Sequence, residues 1–222
     1  MDKYKVLDGT KLKLIAAILM LIDHAGGILF NNNALMRLIG RLAFPIFAFC
    51  ISEGYIHTRN KKKYLLRMGV FALISEIPFN LYNHGTIFYF GYQNVMFTFF
   101  MALLGLNLYE KVNKDNSIIN QAKGFAIVFA LGAICEFINT DYGVYGVILV
   151  FTYYYFRNYG YLLRNIIGCI IQFCLYNVGI ISMLSAGIIY FYNGKKGKGY
   201  KILFYLFYPV HLLVLWLISC II

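Results

Sequence analysis

Apolar stretches of membrane-span length follow one another along the 222-residue chain, separated by short polar interruptions. A helix needs roughly 20 residues to cross a bilayer. On that rule the pattern predicts spans at 12–30, 35–56, 64–82, 92–110, 122–139, 142–157, 161–176, 178–192 and 200–221. The expected fold is all-α: a polytopic integral membrane helical bundle of about nine transmembrane helices (eight to ten), in one domain over residues 1–222. The sixth to eighth spans are short, and Pro45 is expected to break the second. The first run follows lysines and carries no convincing cleavage site, so it reads as a signal anchor retained as a span.

Composition excludes a soluble domain. Hydrophobic residues make up 61% of the chain, charged residues only 13%, and the mean hydropathy is +0.68. A net charge of +11 would suit a nucleic-acid partner, but its distribution has a simpler meaning. Lys3, Lys5, Lys11 and Lys13 precede the first span. Arg59, Lys61, Lys62, Lys63 and Arg67 surround the second loop, and Lys111, Lys114 and Lys123 mark the fourth. Arg157 and Arg164 mark the sixth, and Lys195, Lys196, Lys198 and Lys201 fill the eighth. Eighteen of the twenty basic residues thus fall on alternate loops. By the positive-inside rule the N-terminus is cytoplasmic and the C-terminus outside, in a multi-pass protein of the plasma (inner) membrane. Anionic lipid is the expected contact of this charge, and nucleic acid is not needed. The five cysteines lie in apolar segments without a paired spacing, so they read as packing residues, with no metal site expected.

The two exceptions are Arg37 and Arg41, four apart on one helix face in the second span. Counting about 1.5 Å per residue from the basic edge of each span puts Asp23, His24, Glu76 and His211 near mid-depth. Together with Arg41 they come from four spans. A charge at that depth costs about 3 kcal/mol on insertion scales, so such a set is expected to share one hydrated or mutually paired site. Each residue also has a plainer reading. Arg41 can be an ion-pair partner for Asp23 or Glu76, or a ligand contact. Asp23 and His24 can be a satisfied buried pair. Glu76 beside Pro78 can be packing, and Glu53 and His57, i and i+4, can pair at the interface. His84 reads as solvated. Phe44, Phe47 and Phe49 read as lipid or helix packing.

A buried histidine near neutrality can take a proton from an amine or hydroxyl, and a carboxylate beside it supports the imidazolium. An arginine can stabilise an oxyanion or bind phosphate, and the basic run 59–63 with Arg67 would attract a polyphosphate donor. These parts suit acyl transfer from a cytosolic acyl-CoA. They equally suit a proton-coupled small-solute transporter, which needs His, carboxylate and Arg in a mid-depth cavity.

Motifs in order along the chain decide between them. They include Leu21-Ile22-Asp23-His24, Gly40-Arg41-Leu42-Ala43-Phe44-Pro45, Glu53-Gly54, His57-Thr58-Arg59-Asn60 and Arg67. They continue through Ser75-Glu76-Ile77-Pro78, Asn94-Val95-Met96-Phe97-Thr98 and Asp141-Tyr142-Gly143-Val144-Tyr145-Gly146. Tyr192-Asn193-Gly194 and Tyr208-Pro209-Val210-His211 complete the set. With these the chain resembles the TraX-like membrane proteins, named for the conjugal-transfer pilin acetylase. The resemblance implies a polytopic acetyltransferase that uses acetyl-CoA as donor and acts on an N-terminal amine; it leaves the acceptor open among a peptide, a pilin-like protein and a glycan.

On this basis His24 is the first candidate base, with Asp23 orienting it, His211 the second, and Arg41 and Glu76 completing the catalytic set. Glu53, His57, Arg59, Lys61, Lys62, Lys63, Arg67, Tyr192 and Asn193 are the candidates for holding acetyl-CoA. Asn94, Asp141, Tyr142 and Tyr208, from the matching motifs, are the candidates for binding the acceptor. The oligomeric state stays open, a homodimer included.

Overall fold

The computed structural model describes residues 4–115, 117–175 and 179–222. Lys3 and the Asn177 turn lie outside them. Among the described residues the regular elements are helices, without a β-strand: α1 Gly9–Ile28, α2 Ala34–Gly40, α3 Ala43–His57, α4 Lys61–His84, α5 Val95–Val112, α6 Ile118–Phe137 and α7 Gly143–Tyr155. After a 3-10 turn at Phe156–Tyr159 come α8 Gly160–Leu175, α9 Gly179–Ser182, α10 Ser185–Tyr190 and α11 Lys201–Ser219.

Local sequence explains where these helices begin. Asp8 Oδ1 accepts from the Thr10 and Lys11 amides at 2.9 Å, and Asn33, Asn60, Asn94 and Ser117 cap α2, α4, α5 and α6 in the same way. Gly85 ends α4 with a φ of 66°, a conformation that suits glycine.

The second predicted span is divided, but not at Pro45. The helix breaks at Arg41–Leu42, and Pro45 sits in the first turn of α3, where its missing N–H leaves no intrahelical bond unmade. The break lets α2 lie against α1: a Cβ on Gly40 would stand 2.1 Å from the Asp23 Cβ, so only glycine fits this crossing. The eighth predicted span is likewise divided, into α9 and α10. Among the described residues five stretches are long and apolar enough to cross a membrane: Ala34–His57, Lys61–His84, Val95–Val112, Ile118–Phe137 and Lys201–Ser219. The other helices are shorter or, like α1 with Lys11, Lys13 and Asp23, more charged.

Contacts sort the connections to two ends. At one end Gly9 N donates to Lys195 O at 2.8 Å and Leu7 bridges Tyr192, so the 192–198 segment lies over the start of α1. Glu110 at the end of α5 accepts there from Tyr55 (2.8 Å), Tyr154 (2.6 Å) and Lys61, tying α3, α4, α5 and α7 together. At the opposite end Gln93 bridges Thr140, and Asp141 N donates to Gln93 O at 2.8 Å. Consecutive packing of α5, α6 and α7 makes a solid wall, with Tyr109, Phe125, Phe151 and Tyr155 meeting mostly edge-to-face.

Candidate active site

On the other side of that wall, α1, α3, α4 and α11 enclose a cavity of about 930 Å³. Its lining follows α1 from Gly9 to Ile28, a rise of roughly 28 Å, so it runs almost the length of the bundle. The second predicted span contributes Gly40, Arg41, Phe44, Phe47, Phe49 and Glu53 to it, and the loop after it His57 and Arg59. Phe44 and Phe49 are therefore buried cavity walls rather than lipid contacts. Phe44 stacks on Tyr142 with ring centroids 3.6 Å apart.

Helices α1 and α11 bring the two histidines together. His24 Nδ1 lies 2.6 Å from His211 Nε2, and His211 Nδ1 lies 2.7 Å from the Phe207 carbonyl oxygen. A carbonyl only accepts, so His211 carries its proton on Nδ1, and its bare Nε2 must accept from His24 Nδ1–H. Neutral His24 is then left with a lone pair on Nε2. His24 lines the cavity; His211 is buried behind it. The pair forms a short series ending in one basic nitrogen.

Around this pair the charges are partly spoken for. Arg37 Nη1 lies 3.1 Å from Asp23 Oδ1 and also reaches the Asp23 carbonyl oxygen at 3.4 Å. Asp23 thus has Arg37 as an ion-pair partner. Arg41 lines the cavity, and its field reaches Asp23, His24 and Asp141. The Tyr82 hydroxyl donates to the His24 carbonyl oxygen at 2.8 Å, fixing the turn of α1 that carries the histidine. In the 138–142 connection, Asp141 accepts from the Tyr92 hydroxyl at 2.9 Å. Enclosure by protein pushes the Asp141 carboxyl up to about 6, against the lowering pull of the Tyr92 hydroxyl and of Arg41.

At the basic end the mouth is lined by the candidates Arg59, Lys63 and Arg67, and by Lys13, Lys196, Lys198 and Lys201, which the sequence reading did not assign to the site. These come from three separate stretches of chain, so no single run reveals them. Lys196 and Lys198 arrive because the 192–198 segment is stitched to the start of α1. Tyr192, Tyr142, Tyr208 and Asp141 also line the cavity.

Several candidates stand elsewhere. Glu76 does not line the cavity; it accepts from the Asn94 amide nitrogen at 3.0 Å and from the Asn94 side chain. Asn94, fully buried, also donates to Ala72 O at 2.9 Å and caps α5. Both residues brace the α4–α5 junction, because a helix start buried in apolar surroundings needs its amides satisfied. Lys61 pairs with Glu110, Lys62 is exposed, and Asn193 accepts from Lys195 N in its own turn; none of the three lines the cavity. Glu53 and His57 do line it, and they pair with each other at 3.4 Å. Arg164, read from sequence as a loop charge, is 2% exposed and holds Glu53 at 2.8 Å.

Fold and site define a helical membrane protein with a polar internal cavity and a paired-histidine centre. The chain belongs to the TraX protein family, whose model matches residues 8–219. It is 31% identical over 235 residues to the probable fimbrial assembly protein FimC, serogroup H1, of Dichelobacter nodosus, covering 92% of this chain and 93% of that protein. Over 63 residues, 28% of this chain and 25% of the relative, it is 40% identical to an uncharacterized protein of Rickettsia prowazekii (strain Madrid E). No solved structure matches.

Proposed function

We propose that the protein is a plasma-membrane acetyltransferase that moves an acetyl group from cytosolic acetyl-CoA to an amine or hydroxyl acceptor. The observation that carries this reading is one cavity joining a mouth of seven cations to the His24–His211 pair. Lys13, Arg59, Lys63, Arg67, Lys196, Lys198 and Lys201 suit the phosphates of the donor, leaving its thioester to extend toward His24. The acceptor nitrogen or oxygen attacks the thioester carbonyl carbon while His24 Nε2 takes its proton. The carbon–sulfur bond then breaks, and the leaving thiolate takes that proton back from His24. His211 Nε2 accepts from His24 Nδ1–H throughout and so supports the transient imidazolium. Arg41 supplies positive charge for the oxyanion.

In this reading α2 with α3, and α9 with α10, each count as one crossing. The helices then make nine crossings with the basic mouth facing the cytosol. The family's association with pilin and the fimbrial-assembly name of the relative favour a peptide or pilin-like acceptor over a glycan. Mass spectrometry of membrane proteins, secreted peptides and glycans from cells with the protein, without it, and with His24→Ala tests the assignment. One acetylated species should vanish in the latter two. The near full-length cavity favours a proton-coupled transporter as the second reading, and solute flux in proteoliposomes without any CoA requirement would decide for it.

A further inference from the structure

Helix α8 is built the wrong way round for a helix in a dry bundle. Leu162, Ile166, Ile170 and Phe173 face outward, while Arg164, Asn165 and Gln172 are buried. Arg164, Gly168 and Gln172 follow one another at i, i+4 and i+8, a single inward stripe. Tyr153 of α7, fully buried, stands opposite this stripe; Ser185 of α10, which packs on α8, and Ser52 of α3, which packs on α7 and α10, are fully buried as well. A Cβ on Gly168 would lie 2.8 Å from the Tyr153 hydroxyl, so that hydroxyl rests directly on the stripe.

These groups do not satisfy one another. Both side-chain polar atoms of Asn165 and of Gln172, Nε and Nη2 of Arg164, and the hydroxyls of Tyr153, Ser185 and Ser52 have no hydrogen-bond partner among the described residues. Leaving so many donors and acceptors unmet in an apolar interior is costly, and buried water is the usual remedy where several polar atoms converge. The stripe meets the main cavity at one residue. Arg164 Nη1 holds Glu53 Oε1, and Glu53 lines the cavity, whereas Arg164, Asn165, Gln172, Tyr153 and Ser185 do not.

We propose that α3, α7, α8 and α10 enclose a second, water-binding compartment, separate from the cavity and joined to it at Glu53. Its ligand is water, held by the two amides, the hydroxyls and the free edge of the Arg164 guanidinium. That water solvates the buried Glu53–Arg164 pair, offsetting part of the cost of taking both groups out of bulk water.

Hydroxyl-radical footprinting of the intact protein in nanodiscs tests this without any substitution, because radicals generated from bound water modify the side chains beside it. Tyr153, sealed from bulk solvent, should be oxidised at a rate within about tenfold of exposed Tyr159. An unmodified Tyr153 beside a modified Tyr159 overturns the proposal. Repeating the measurement on Asn165→Leu/Gln172→Leu locates the water: Tyr153 oxidation should fall at least fivefold. Unchanged oxidation in the folded variant would assign the water to the main cavity and overturn the separate compartment.

Discussion

The two ends of the cavity are built on opposite principles. At the histidine centre each group has a fixed partner: His24 with His211, His211 with the Phe207 carbonyl, Arg37 with Asp23, and Tyr82 with the His24 carbonyl. The basic mouth instead gathers Lys13, Arg59, Lys63, Arg67, Lys196, Lys198 and Lys201 with few partners fixed by geometry. Chemistry needs orientation, which rigid hydrogen bonds supply. Capture of a polyanion needs only summed charge, which clustered lysines and arginines supply. The contrast predicts sharp, geometry-sensitive effects at one end and graded, salt-sensitive ones at the other.

The largest effect should come from the rigid end. His24→Ala should lower the rate of acetyl transfer by about 10²–10⁴-fold, the usual worth of a positioned base, with donor affinity nearly unchanged. His211→Ala should cost less, about tenfold to a hundredfold, and should shift the pH–rate profile, since His24 keeps its lone pair but loses the acceptor that fixes its tautomer. At the basic end, Lys196→Ala/Lys198→Ala should weaken donor binding about tenfold at low ionic strength. The difference should shrink near 1 M salt, where charges are screened within about 3 Å. Glu76→Gln belongs to neither end. It should lower stability by about 1 kcal/mol, read as a reduced midpoint of thermal unfolding, and leave transfer by the folded protein unchanged. The smallest effect concerns Asp141, whose folded state holds its proton more tightly than the unfolded chain. Its contribution to stability is full below pH ~4, the unfolded value, and is lost as pH rises through about 6. Asp141→Asn should flatten that part of the unfolding profile.

What could be read from the sequence depended on how far apart the interacting residues lie. Helical class and approximate spans follow from local hydropathy, which is why α4, α5, α6 and α11 fall close to their predicted limits. Depth counting likewise put His24 and His211 at one level, and they meet. Partner choice is different, because it depends on helix rotation and inter-helix contacts that the linear pattern does not carry. Asp23 took Arg37, Glu76 turned to Asn94, and Arg164 turned inward to Glu53. The break at Arg41–Leu42 was hidden behind the more conspicuous Pro45. Its signal was Gly40, which the close α1–α2 crossing requires.

The central claim joins the two ends: donor captured at the cations reacts at His24. Its most direct test is single-turnover transfer from radiolabelled acetyl-CoA by the purified protein in nanodiscs, run beside an equilibrium donor-binding measurement on the parent and on His24→Ala. The account predicts that both bind the donor within about threefold of each other, while only the parent passes its acetyl group to an acceptor peptide at a measurable rate. Transfer by His24→Ala at the parent rate, or no donor binding by either protein, would contradict it.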